Sequence, residues 1–156
     1  MYKKILLAID GSEDSFRAAE RIKEIGKRYS KVVIFNAIEE HFYEKLSTIS
    51  LTAPVGATAP GAMVTPAELT AAKKAKAKKI LKKAKELFKS SIMPVELRVI
   101  EDEDPDEYML NIIEEEGFDL VAIGCTGEHS EFRKIFLGTI GSKLLYEAPC
   151  DVLIVR

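Results

Sequence analysis

Five apolar runs punctuate the 156-residue chain: Ile5–Ile9, Val32–Ile38, Val95–Ile100, Leu120–Ile123 and Val152–Val155. Runs of this kind, short and rich in Val and Ile, suit strands buried on both faces of a parallel sheet. Val95–Ile100 instead alternates apolar with polar residues, which predicts an edge strand with one face partly wet. Between the runs the period changes to that of a helix. Ala18, Ile22, Ile25 and Tyr29 share one face after the Asp10-Gly11-Ser12 turn, with Ser12 as N-cap, predicting a helix from about Glu13 to Arg28. Thr65, Pro66 and Glu68 spell a capping box with proline at the first helical position, and Leu69, Ala72, Ala77, Ile80, Ala84, Leu87 and Phe88 trace the apolar stripe that follows. Asp104 and Pro105 open a further helix whose core face is Tyr108, Ile112 and Ile113 and which Gly117 ends. A last helix runs from Thr139 to about Tyr146, closed by Pro149. The resulting order, β-α-β-loop-α-β-α-β-α-β, predicts an α/β fold: a three-layer αβα sandwich around a five-stranded parallel sheet. Without repeats or a compositional boundary, residues 1–156 read as one domain.

One segment breaks the pattern. Leu46–Ala67 carries no charge and is loaded with Ser, Thr, Ala, Gly and Pro. Pro54, Pro60 and Pro66 interrupt any long helix, so about 41–65 is expected to be a long variable loop, with room for a short helix in His41–Ile49. It reads as a flexible connection, a lid or a dimer contact.

Composition narrows the function classes. Hydrophobic residues make up 47% and charged residues 31%, with a formal net charge of −2, so no global field draws the chain to nucleic acid or to a membrane. No apolar run approaches the length of a membrane span, and Asp10 cuts the opening run too early for a signal peptide. Two cysteines, Cys125 and Cys150, are too few for a disulfide scaffold, and a cytoplasmic location is expected. The helix after Thr65 carries lysine at 73, 74, 76, 78, 79, 82, 83, 85 and 89; without interleaved aromatics this reads as a solvated face rather than a nucleic-acid footprint.

The candidate chemistry lies at the strand ends. In open parallel sheets ligands bind beyond the carboxyl ends of the strands, where the strand order reverses. Asp10, Ala37 and Gly124 stand at or just past such ends. After Gly124 the chain reads Gly124-x2-Gly127, a ten-residue spacer, then Gly138-Thr139 at a helix start. Glycine admits close backbone approach, and a helix start offers free N–H groups and a positive dipole end. Gly124, Gly127, Gly138 and Thr139 are therefore expected to form one cradle for phosphates.

The chain resembles the universal stress proteins. Their nucleotide-binding members carry Gly-x2-Gly-x9-Gly-Ser/Thr after the fourth strand, and the spacer here is one residue longer. Lys3–Ser12 and Glu147–Val155 resemble the family's opening and closing segments. The resemblance implies a Rossmann-like fold of the adenine nucleotide alpha hydrolase type, with strand order 3-2-1-4-5. It also implies binding of an adenine nucleotide, ATP or AMP, with Mg2+ held alongside the phosphates in some members, and a role in stress response. Asp10 matches the acidic residue near ribose and adenine, and Ala37 a small residue lining the adenine pocket. Gly124, Gly127, Gly138 and Thr139 match the phosphate positions. A homodimer through Val152–Val155 is implied as well.

Other constellations are weaker. Cys125 near a helix start could be reactive, but a small packing residue fits as well. Glu101–Asp104 could hold a cation, though Asp104 more simply caps a helix. His41 with Glu40 and Glu44 is poor ground for a metal, and His129 beside Ser130 lacks a third orienting group. No Walker A, Gly-x-Gly-x-x-Gly or Gly-x-Ser-x-Gly sequence occurs, and no catalytic residue is assigned. Three functions stay open: a nucleotide-binding regulatory module, a slow ATP hydrolase, and a ligand-free dimer working through protein partners.

Overall fold

The computed structural model describes residues 2–38, 65–101, 103–125 and 138–156. Along the chain it contains β1 (Lys4–Ala8), α1 (Glu13–Ile25), β2 (Lys31–Ile38), α2 (Pro66–Leu87), β3 (Val95–Glu101), α3 (Pro105–Glu116), β4 (Leu120–Gly124), α4 (Thr139–Glu147) and β5 (Asp151–Val155). All strand pairs are parallel, in the order β3-β2-β1-β4-β5. The chain steps outward from β1 to β3, crosses back, and continues from β4 to β5. The reversal falls between β1 and β4.

Strand side chains alternate between faces, and the sheet sorts them into two cores. Ile5, Leu7 and Ile9 face α1 and α2, together with Val32, Ile34, Leu81, Ala84 and Phe88. Leu6, Val33, Phe35, Val121 and Ile123 face α3 and α4, with Tyr108, Met109, Ile113 and Leu144. Burial on both faces explains why the central strands read as unbroken apolar runs. β3 is the predicted edge strand, and six of its seven residues are only half-buried.

The capping box forms as expected. The Glu68 N–H donates to Thr65 Oγ1 at 3.2 Å, and the Thr65 N–H to Glu68 Oε2 at 2.8 Å. Gly117 takes the left-handed conformation at φ 68° and ends α3. Asp104 occupies the N-cap position, but its side chain makes no cap hydrogen bond.

Two details of the expected pattern differ. α1 ends at Ile25, three residues before the predicted Arg28. Gly26 turns extended there, and a Cβ on it would lie 2.4 Å from the sulfur of Met93. Tyr29 thus falls outside the helix and is 81% exposed, and Ile25 is half in water. In α2 the buried positions are Ala77, Leu81 and Ala84, whereas Ala72 is exposed: the first turns of this helix project beyond the core. The predicted 41–65 loop lies outside the described residues, save Thr65.

Polar ties close the amino end of the sheet. Asp119 accepts the N–H groups of Lys3 and Lys4 at 2.6 and 3.0 Å, fixing β4 to the start of β1. Glu116, at the end of α3, takes Arg98 of β3 at 2.5 and 3.1 Å and the Lys4 ammonium at 2.7 Å. The two cations hold its carboxyl far below the ordinary carboxylate range, down to about 2 from 4.5.

At the opposite, carboxyl end, β4 meets the first turn of α1. A Cβ on Gly124 would lie 2.6 Å from the Ser15 nitrogen and 2.8 Å from the Asp14 carbonyl carbon. Both are main-chain atoms, so only glycine lets the strand end and the helix start touch.

Two outcomes follow. Because the Glu116 carboxyl is depressed when folded, its pairs contribute fully above pH about 4.5, and the contribution is lost as pH falls through about 2. Glu116→Gln is expected to cost about 1–2 kcal/mol near neutrality, water screening having reduced the value for so partly exposed a site. Urea titrations of both forms should show that difference shrink between pH 5 and 2; a constant difference would remove the ion pairs as its cause. Gly124→Ala is expected to cost about 1–3 kcal/mol through overpacking, seen as a lower melting temperature without any ligand. An unchanged melting temperature would show that α1 yields freely.

Candidate functional site

The turn after β1 is built from its own side chains. Asp10 Oδ1 accepts from the Ser12 N–H at 2.9 Å and from Ser12 Oγ at 2.6 Å, while Ser12 Oγ accepts from the Ser15 N–H at 3.2 Å. Acid, turn and helix cap are thereby linked in one chain of hydrogen bonds. Gly11 at φ 99° makes the reversal possible, and a Cβ there would stand 3.0 Å from Ile80 Cδ1 of α2. Turn chemistry thus fixes where Asp10 sits, in place of a flexible loop.

Register places Ala37 beside it. Ala8 of β1 pairs with Phe35 of β2, so two residues further on Asp10 and Ala37 stand level. On the other side Leu7 pairs with Ala122 of β4, which brings Gly124 level with Ile9. Asp10, Ala37 and Gly124 therefore lie within one residue of a common level at the carboxyl ends of three adjacent strands, beside the strand-order reversal.

The expected cradle is described in part. α4 follows β4 and feeds the parallel β5, so it runs back along the sheet and its amino end returns to the carboxyl edge. Gly138 is its N-cap, extended at φ −57° and ψ 164°, with no side-chain cap bond. Among the described residues a Cβ at Gly138 would meet nothing within 4 Å, and Gly138 and Thr139 are both exposed. The first intrahelical bond runs from the Ser142 N–H to the Gly138 carbonyl at 3.0 Å. The amides of Thr139, Ile140 and Gly141 thus have no acceptor within the helix, as at any helix start. Such a start, glycine-capped and uncrowded, suits an anion. Lys143 holds the helix to α3 through Asp106 at 2.8 Å, and this pairing keeps the Asp106 carboxyl below its ordinary range. Leu144 is buried beneath.

Gly127 lies outside the described residues, as do Glu128, His129, Ser130, Arg133 and Lys134 of the spacer, and Glu40, His41 and Glu44. Gly124 has acquired a reason of its own to be glycine, the main chain of α1. Of the acidic run, Glu101 pairs with Lys74 at 2.6 Å, and Asp102 lies outside the described residues. Among the described residues, no three His, Cys, Asp or Glu side chains converge as metal ligands.

One residue near this edge gains a role that the sequence pattern did not assign. Asn36 is buried in β2 and donates from Nδ2 to the Ile9 carbonyl at 2.6 Å, bracing the strand end just before Asp10. A lone amide inside an apolar run is its sequence signal, since a buried polar group needs a partner. Cys125 is buried, donates its N–H to the Val155 carbonyl at 2.7 Å, and accepts at Sγ from Arg156 Nε at 3.5 Å. Packing, as one of the two sequence readings held, accounts for its position.

The comparisons agree with this architecture. The model of the Universal stress protein family matches residues 1–156. A universal stress protein of Methanocaldococcus jannaschii is 26% identical over 156 residues, covering 100% of this chain and 83% of its own. The solved structure of the universal stress protein UspA from Lactobacillus plantarum superposes with a TM-score of 0.75 at 19% identity, covering 99% of this chain and 98% of that one. A universal stress protein from Archaeoglobus fulgidus, solved in complex with dAMP, gives a TM-score of 0.63 at 14% identity, covering 99% and 98%. The whole-length match, carried on a 3-2-1-4-5 parallel sheet, makes this chain a member of the universal stress protein family.

Proposed function

We propose that the protein is an adenine-nucleotide-binding regulatory module of the stress response, taking ATP or AMP at the carboxyl edge of its sheet. The observation that carries this reading is the open start of α4, glycine-capped and uncrowded, returning to the edge where Asp10 and Ala37 stand level. Free amides and a positive dipole end suit phosphate, and Thr139 adds a hydroxyl. In this reading Asp10, held by Ser12, accepts from a ribose hydroxyl. The main chain at Ala37 offers donor and acceptor groups to the purine edge. The dAMP complex of the Archaeoglobus fulgidus protein supports adenine as the base. Gly127 belongs to the same proposed cradle with Gly124, Gly138 and Thr139. Mg2+ bound with the nucleotide would be held by the phosphate oxygens and water.

The proposal includes a homodimer through β5. Val152, Leu153 and Ile154 are only half-buried on this edge strand, and Leu145 and Tyr146 of α4 are 55% and 89% exposed. An apolar edge of this kind is stabilised by pairing with a second copy.

A ligand of the native state must raise the melting temperature. At a hundredfold excess over Kd the gain is about 2.7 kcal/mol, or about 5–10 °C for a chain of this size. Thermal titration with ATP plus magnesium, and with AMP, is expected to show it; no shift at millimolar nucleotide would count decisively against the reading. Gly138→Ala gives up a glycine N-cap and should cost the ligand-free protein about 1 kcal/mol, or about 2–4 °C in melting temperature, while reducing the nucleotide-induced shift measured from that new baseline. Thr139→Val should also reduce that shift. Full shifts in both variants would detach the α4 start from the phosphates. For the dimer, Val152→Lys with Ile154→Lys is expected to yield monomers by sedimentation analysis; an unaltered mass would move the contact elsewhere.

A further inference from the structure

At the other edge of the sheet, far along the strand order from β5, a groove of about 580 Å3 opens between α2 and β3. Its floor is apolar, formed by Leu81, Leu97 and Val99, and its rim carries Lys78, Lys82 and Lys85. Spaced i, i+4 and i+7, these lysines lie on one flank of α2, about 6 and 10 Å apart along the axis. Glu86, the carboxylate at the groove, is engaged with Lys89. Among the described residues no carboxylate pairs with the three rim lysines, and no strand pairs with the outer edge of β3.

A seven-residue edge strand leaves a row of N–H and C=O groups able to template another chain. Lysines beside such an edge repel a second copy of this chain, which would bring its own lysines to the contact. They attract a segment of opposite charge. Alternate side chains of an extended segment lie about 6.7 Å apart on one face, close to the spacing of Lys78 and Lys82. A nucleic acid would use the lysines but neither the apolar floor nor the strand edge.

We propose that this groove docks an acidic, extended peptide segment of a protein partner. The segment adds as a sixth strand to β3, with its carboxylates on Lys78, Lys82 and Lys85 and its apolar side chains over Leu81, Leu97 and Val99. Main-chain hydrogen bonds supply the hold, and the lysines supply selection. The site is separate from the nucleotide crevice and does not depend on it.

The test uses the full chain and a capped, fluorescently labelled peptide, Glu-Thr-Glu-Thr-Glu-Thr-Leu-Thr-Leu-Thr, whose three Glu fall on one face at alternate positions, followed by anisotropy at low salt. Binding is expected, together with slower amide exchange confined to Val95–Glu101. The triple variant Lys78→Gln, Lys82→Gln, Lys85→Gln changes exposed side chains only. It should keep its melting temperature and lose affinity about tenfold, as three exposed ion pairs imply. Replacing Glu by Lys in the peptide, or N-methylating alternate residues, should abolish binding. The proposal is overturned if the peptide fails to bind at millimolar concentration, or if the triple variant binds as well as the parent. It is equally overturned if the N-methylated peptide still binds, which would leave charge without strand addition, or if oleate occupies the groove while the peptide does not.

Discussion

Burial of both faces of one parallel sheet is the constraint on which everything else rests. With Ile5, Leu7 and Ile9 committed to one core and Leu6, Val33 and Phe35 to the other, the faces of the central strands have no surface left for chemistry. What remains free is the ends of the strands and the two edges. The functional arrangement follows from this exclusion. The carboxyl end gathers a turn locked by its own serine, a row of residues set by register and an open helix start. Each edge presents a distinct surface: apolar at β5, and lysine-rimmed at β3.

Packing on the sheet also fixes its carboxyl edge. Gly124 lets β4 end directly on the main chain of α1, and Gly11 lets Ile80 of α2 close over the β1–α1 turn. Asn36 ties the Ile9 carbonyl from the neighbouring strand. The position of Asp10 is thus over-determined by three elements before any ligand arrives. At the amino end, the Glu116 and Asp119 contacts perform the complementary task of holding helix α3 and strands β1, β3 and β4 in register.

Much of this is legible in the residues themselves, wherever the deciding interaction is local. Thr65, Pro66 and Glu68 announce a helix start because a capping box involves only neighbours in sequence. Asp104-Pro105 and Gly117 bracket α3 for the same reason, and the alternation in Val95–Ile100 reveals the edge strand. Legibility fails where tertiary contact decides. Ile25 and Tyr29 keep a helical period, yet Gly26 ends the helix where Met93 fills the space beside it. Ala72 sits on the apolar stripe but beyond the core that would bury it, and Leu81 does the burying instead. At the candidate site, Asp10, Ala37 and Gly124 could be placed at one edge from the order of elements alone. That α1 presses on Gly124, giving that position a packing requirement independent of any ligand, needs a contact across 109 residues that no local pattern encodes.

The central claim is that one crevice joins residues from β1, β2 and the start of α4. Amide resonances of the isotopically labelled protein, followed during titration with ATP and magnesium, test it most directly. The account predicts that the amides of Asp10–Ser12, Ala37, Ile38 and Thr139–Gly141 shift together with a single Kd, while those of Lys3, Lys4 and Asp119 at the far end stay still. Shifts confined to α4, or resonances at the sheet's carboxyl edge that do not respond at saturating nucleotide, would contradict it.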